Sequence, residues 1–291
     1  MIFARDVSNP EGPVRLPDGS WAITEMNRGV VSQISADGAT RRVIAQTGRP
    51  NGLALDAAGH LWVAESRFPA LLKLTLEGVA TTISQGSSDL PFLWPNDLCF
   101  GPDGALYMTD SGVLLDDFEG LQPPEAVYDV PVDGRVWHID LRTGECAVLD
   151  RGLRFANGIA FGPGGEDLYV SETLTGNIYR YRIAEGNVEG GRRLFGNVMC
   201  KPPVEHGRVA GPDGMAFDVE GNLYVGVLAQ GDITILGPDG SVRNRLAIDG
   251  TFPTNVAFAG PGQRRILITE GSGNQLLMLD VAEEGLSLYT G

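Results

Sequence analysis

The chain holds three cysteines in 291 residues, Cys99, Cys146 and Cys200, widely spaced and without a Cys-x-x-Cys pair. That excludes a disulfide framework and a thiolate zinc site. Basic residues are also few: 22 Lys and Arg stand against 37 Asp and Glu, for a net charge of −15. Nucleic acid and anionic membrane surfaces both reward Lys and Arg, so neither is an expected partner. No apolar run approaches a membrane span, and Met1–Asp6 opens no apolar core of a secretion signal. The expectation is a cytoplasmic protein, a monomer or small homo-oligomer. There is no Gly-x-Ser-x-Gly elbow, and no Gly-x-Gly-x-x-Gly between a strand and a helix. Neither an elbow hydrolase nor a nucleotide site is indicated.

Helical periodicity is scarce, and short alternating runs separated by Asp-Gly, Pro-Asp-Gly or Ala-Gly turns dominate. The 40 Gly and 18 Pro punctuate these runs, the pattern of hairpins in an all-β protein.

One phrase recurs. Its fullest copy is Pro212-Asp213-Gly214-Met215-Ala216-Phe217, followed by Gly221-Asn222-Leu223-Tyr224-Val225. Further copies begin at Asn51, Asn96 and Asn157, with weaker ones at Glu11 and Thr254, at successive spacings of 40, 45, 61, 56 and 41 residues. Within a copy four strands are legible: Leu53–Leu55, Leu61–Glu65, Leu71–Thr75 and Ala80–Ile83 in the second, and Met215–Asp218, Leu223–Val227, Asp232–Leu236 and Arg243–Ile248 in the fifth. Four antiparallel strands at this period make a propeller blade, so the chain is read as one six-bladed β-propeller domain over 1–291. Ile2–Val7 is expected to complete the last blade beside Leu286–Tyr289. The long spacings place insertions at 112–134, inside blade three, and at 198–210, before blade five. Loops of that length on a rigid scaffold are candidate covers for a site.

The first strand of each propeller blade lines the central channel, so the six lead residues Glu11, Asn51, Asn96, Asn157, Asp213 and Thr254 should ring one mouth of it. Carboxylates and amide oxygens on a narrow axis suit a hard divalent cation such as Ca2+. The blander account is that Asn-Gly and Asp-Gly are good turn formers. Glu25, Glu65, Asp110, Glu172 and Glu270 recur at the ends of second strands, which suggests a blade-to-blade structural role. Asp110, nearest the blade-three insertion, is the member of that set expected to touch substrate. Asp116, Asp117 and Asp129 read as solvated loop charges. His60 and His138 read as structural, while His206 lies in the insertion before blade five and can reach the pocket.

Glu11-Gly12-Pro13-Val14, Trp94-Pro95-Asn96-Asp97, Phe155-Ala156-Asn157-Gly158 and Gly211-Pro212-Asp213-Gly214-Met215, in this order over essentially the whole chain, resemble the regucalcin/gluconolactonase family, also called senescence marker proteins. Its members are six-bladed calcium-dependent propellers that usually hydrolyse lactones. The resemblance implies that Glu11, Asn157 and Asp213 bind one divalent cation, Ca2+ first, with Mg2+, Mn2+ or Zn2+ as alternatives. Asn96 is implied as a fourth ligand or a substrate contact. Trp94 stands where sugar-lactone members carry Arg, which points to a more apolar pocket wall. Trp94, Asn51, Asp110 and His206 are thus the expected substrate contacts, and Asp213 with Asn96 the catalytic pair. Ring opening through a tetrahedral oxyanion by a metal-activated water, with Asp213 assisting, is the expected chemistry. A phosphotriester hydrolase on the same site, and a calcium-binding or interaction propeller without turnover, are the competing readings.

Overall fold

Six four-stranded antiparallel sheets follow one another along the chain in the computed structural model, which describes residues 1–291 except the side chains of Pro124 and Glu125. Blade two is Pro50–Leu55, Leu61–Glu65, Ala70–Leu74 and Ala80–Ser84. Blade five is Gly211–Phe217, Leu223–Leu228, Asp232–Leu236 and Val242–Ala247. Second strands such as Trp21–Glu25, Leu61–Glu65 and Leu106–Asp110 are buried along their whole length. Both of their faces meet neighbouring blades: Val31 and Leu16 of blade one pack with Leu53, Val63 and Leu72 of blade two. Each such side chain contributes about 1.5–3 kcal/mol only when the next blade covers it, so the ring has to close.

Closure comes from the N-terminus. Ile2–Arg5 is the outermost strand of blade six and pairs with Gln275–Asp280. The partner expected for it, Leu286–Tyr289, is not a strand. With Ile2–Arg5 already occupying the outer edge, the C-terminal tail crosses the far end of the propeller instead. Leu286 N–H donates to the Phe217 carbonyl at 2.9 Å, Ala57 N–H to that of Thr290 at 2.8 Å, and Tyr289 packs edge-on against Phe161.

The recurrent acids at second-strand ends act within a blade, not between blades. Glu65 accepts the Arg49 and Arg67 N–H groups, Asp110 those of Leu93, Trp94 and Gly112, and Glu270 those of Phe252, Ser272 and Gly273. Each carboxylate thereby latches the chain as it enters the inner strand of its own blade.

Both insertions lie over the same end. Within 112–134, a short helix Leu115–Glu119 and a 3-10 turn Pro124–Tyr128 bring Leu115, Val127 and Val132 against Met26, Trp94, Phe155 and Leu174. The segment before blade five carries a 3-10 turn, Pro203–His206. The two meet where Ala210 N–H donates to the Tyr128 hydroxyl at 3.1 Å and that hydroxyl donates to the Arg208 carbonyl at 3.3 Å.

Asp110→Ala leaves three backbone donors without an acceptor and should cost about 3 kcal/mol or more. Asp116→Ala, which removes an exposed lid pair with Arg67, should change stability by less than about 0.5 kcal/mol. Urea midpoints of the two variants measure this, and equal midpoints would show that the latch is dispensable.

Candidate active site at the channel mouth

In all six blades the pairing of the inner strand with the second strand breaks at the same register. The break falls between Glu11 and Val14, Pro50 and Leu53, Pro95 and Leu98, Ala156 and Ile159, Pro212 and Met215, and Pro253 and Asn255. A bulge there releases residues from the ladder and re-aims their side chains. The lead residues Glu11, Asn51, Asn96, Asn157, Asp213 and Thr254 are brought together at this bulge, and each is only 3–5 % exposed. Hydroxyls of the preceding blade pin their backbone: Thr24 donates to the Asn51 carbonyl at 2.7 Å and Ser171 to that of Asp213 at 3.0 Å. Thr254 donates to the Pro10 carbonyl at 2.6 Å and so joins blade six to blade one.

The residues that follow form a second ring: Gly12, Gly52, Asp97, Gly158, Gly214 and Asn255. The amide of Asn255 reaches across the axis, donating to Asp97 Oδ2 at 3.3 Å and to Glu11 Oε2 at 3.2 Å. A Cβ on Gly214 would lie 2.0 Å from Asn255 Cγ, and one on Gly52 2.6 Å from Asp97 Oδ1. A Cβ on Gly12 would lie 2.7 Å from Leu53 N, and one on Gly158 2.3 Å from the Asp213 carbonyl oxygen. The crossing pair accounts for glycine at 52 and 214, and the close approach of the next blade's backbone for glycine at 12 and 158. Asp97 and Asn255 are site residues that the sequence reading passed over. Their signal was present, since they are the two places where the repeat's glycine is replaced by a polar side chain.

Three carboxylates therefore sit buried near one axis. Burial first, and the Asp97 charge second, push Glu11 up from 4.5 to about 8. Burial raises Asp97 from 3.8 to about 6. Asp213 is held well above the usual carboxylate range by burial, then by Glu11 and Asp97. No basic side chain contributes to any of the three. A cluster of this kind lacks the counter-charge that buried acids require.

Among the described residues, no three His, Cys, Asp or Glu side chains stand close enough to hold an ion by themselves, so amide oxygens would have to complete a cation site. Two are set up for it. Asn157 Nδ2 donates to Thr173 Oγ1 at 3.1 Å, while Thr173 spends its own proton on the Pro212 carbonyl at 2.9 Å. Asn96 Nδ2 donates to Ser111 Oγ at 2.8 Å, and Ser111 in turn donates to the Ala156 carbonyl at 3.2 Å. Because each hydroxyl is already a donor elsewhere, it can only accept from the amide, which fixes the amide's orientation. Asn157 Oδ1 is left buried with no partner, beside Asp213. An orphaned oxygen next to uncompensated carboxylates fits a hard divalent cation.

The other expected contacts divide. Trp94 is buried under the lid, edge-on to Phe118 at 5.1 Å and to Phe155 at 5.4 Å, and its Nε1 has no partner. Asp110 is fully buried and committed to the three backbone donors of its latch. His206 is half-buried in the second lid segment, with Nε2 buried and unpartnered and its pKa lowered by burial. His60 and His138 pair with Asp56 and Asp103 in the turns between first and second strands.

Comparison with known proteins bears on the family and the fold. The family model described as "SMP-30/Gluconolactonase/LRE-like region" matches residues 9–272. A gluconolactonase of Zymomonas mobilis subsp. mobilis is 26% identical over 284 residues, covering 90% of this chain and 76% of its own. The diisopropyl-fluorophosphatase of Loligo vulgaris is 26% identical over 308 residues, covering 98% and 92%. A solved structure of the calcium-binding protein regucalcin from Agrobacterium tumefaciens superposes with a TM-score of 0.78 at 20% identity, covering 99% of this chain and 98% of that one, a likeness of fold. With its six blades and a family match over residues 9–272, the chain belongs to the SMP-30/gluconolactonase/LRE-like family.

Proposed function

We propose that the protein hydrolyses a lactone at the channel mouth, with Glu11, Asn157 and Asp213 holding one divalent cation and Asn96 as the fourth ligand or a substrate contact. The observation that carries this is the set of buried carboxylates without a basic partner beside the orphaned Asn157 Oδ1. Ca2+ is the first candidate, since the donors are all hard oxygens. When bound, such a cation supplies Lewis-acid polarisation of the carbonyl and a lower pKa for water. Asp213 is the group to assist by accepting the proton of the attacking water; as a cation ligand it would be a weak base, so the lowered pKa of the water would carry most of the activation. Asn255 and the Leu98 N–H hold Asp97 in the deeper ring, where it sets the local charge and leaves substrate to the lead residues. The cluster of Trp94, Phe118 and Phe155 excludes bulk water above them.

An organophosphate triester is the second reading. The same apolar wall accommodates alkyl esters, and the Loligo relative is named for a fluorophosphate. Acid release on a panel of sugar lactones, apolar lactones and phosphotriesters, run with EDTA and then with Ca2+, Mg2+, Mn2+ or Zn2+ restored, separates the two. Chelator-sensitive acid release from lactones is the expected result. No release from any lactone would end the lactonase reading.

Asp213→Ala should fold but lose cation binding. Ca2+ at about 100 times its Kd should stabilise the wild-type protein by about 2.7 kcal/mol and the variant not at all. Equal stabilisation of both, followed by thermal melting, would remove Asp213 from the site.

The metal-free protein should respond to pH with a definite sign. Glu11 and Asp97 have folded pKa values of about 8 and about 6, above their ordinary 4.5 and 3.8, so folding takes up protons between those limits. Their contribution to stability is greatest below about pH 4 and declines as pH rises towards 8. Saturating Ca2+ should abolish the Glu11 part of that decline, because a ligand carboxylate then stays ionised in the folded state. A pH series of denaturation curves with EDTA and with Ca2+ measures this, and parallel curves would contradict it.

A further inference from the structure

Two positions before each lead residue stands one rim residue: Asn9, Arg49, Trp94, Phe155, Gly211 and Phe252. Arg49 is the one charged member, two positions before Asn51 on the lead ring and in register with Trp94 on the next blade. Its backbone N–H donates to Glu65 Oε1 at 2.7 Å, and Arg67 N–H donates to the same oxygen at 2.9 Å. One latch carboxylate therefore fixes both arginines at the mouth.

The Arg49 side chain is 19% exposed, and its Nε is buried with no partner. Nη1 pairs with Glu119 at the end of the lid helix. Arg67 Nη2 is 3.8 Å from the other oxygen of Glu119, and its Nη1 pairs with Asp116. Glu119 thus meets Arg49 through one nitrogen only, although a guanidinium edge offers two parallel donors to a planar oxyanion. A sunken cation with a spare N–H, covered by an exposed carboxylate on a surface helix, is arranged for exchange of one carboxylate for another.

We propose that Arg49, backed by Arg67, anchors an anionic substituent on the substrate, a carboxylate or similar oxyanion remote from the scissile carbonyl, and that Glu119 covers Arg49 until substrate arrives. The proposal rests on the lactone reading for where the scissile carbonyl sits. The preferred substrate is then an acidic lactone, despite a net charge of −15 that repels anions at long range. The apolar partners of Trp94 exclude water beside the pair and so strengthen it.

Calorimetric binding of gluconate and glucarate, which differ by a second carboxylate, tests this on protein carrying one equivalent of Ca2+ and no excess. Wild-type protein should favour glucarate by about tenfold or more, as a charge-assisted bidentate contact warrants. In Arg49→Gln the preference should collapse to near unity, and in Glu119→Gln it should rise several-fold because the competing carboxylate is gone. No preference in the wild type, or one that survives Arg49→Gln, overturns the anchor. Glu119→Gln alters only an exposed lid side chain, and an unchanged ratio there overturns the covering role even if the Arg49 variant misfolds. Lactone hydrolysis without the preference sinks the anchor and leaves the lactonase reading intact, whereas the preference without hydrolysis does the reverse.

Discussion

The amide of Asn255 meets Asp97 across the propeller axis, and much of the site depends on how little room that leaves. Blades three and six touch through these side chains, so Gly52 and Gly214 beside them cannot carry a Cβ. With the deeper ring crossed by this pair, the lead ring beside it is where six buried side chains converge. It is also the place with uncompensated charge. The ladder breaks at the two rings in every blade, so the fold supplies six side-chain positions to each ring and local sequence decides what each offers.

Most of the architecture was legible because a propeller repeats its local rules. The lead column was visible from Asn51, Asn96, Asn157 and Asp213, and strands such as Leu61–Glu65 and Asp232–Leu236 matched their alternation. The glycine column beside it was harder to read, because Asn-Gly and Asp-Gly have an ordinary use in turns. Only the close approach of neighbouring blades and the crossing contact reveal that the glycine is spatial, and that Asp97 and Asn255 are its informative exceptions. The second-strand acids were recognisable as structural. Their partners were not, since a carboxylate that accepts backbone N–H groups leaves no side-chain pattern to pair with it.

Leu286–Tyr289 alternates like a strand, yet a strand needs an open edge and Ile2–Arg5 had taken it. Asp116 is the solvated charge its sequence suggests, and the lid helix of five residues, too short to leave a periodic signal, brings it to an exposed pair with Arg67. In both cases the local sequence was ordinary and the long-range geometry set the partner. Arg49 belongs here too. Alone it is one surface arginine among many, and only the register that equates it with Trp94 puts it on the rim.

If Glu11, Asn157 and Asp213 form a cation site on the axis, crystals grown with Ca2+ will reveal it. The prediction is one difference peak on the channel axis, about 2.3–2.6 Å from oxygens of all three residues, that disappears in Asp213→Ala crystals. A map with no axial peak, or with Ca2+ bound only elsewhere, would contradict it.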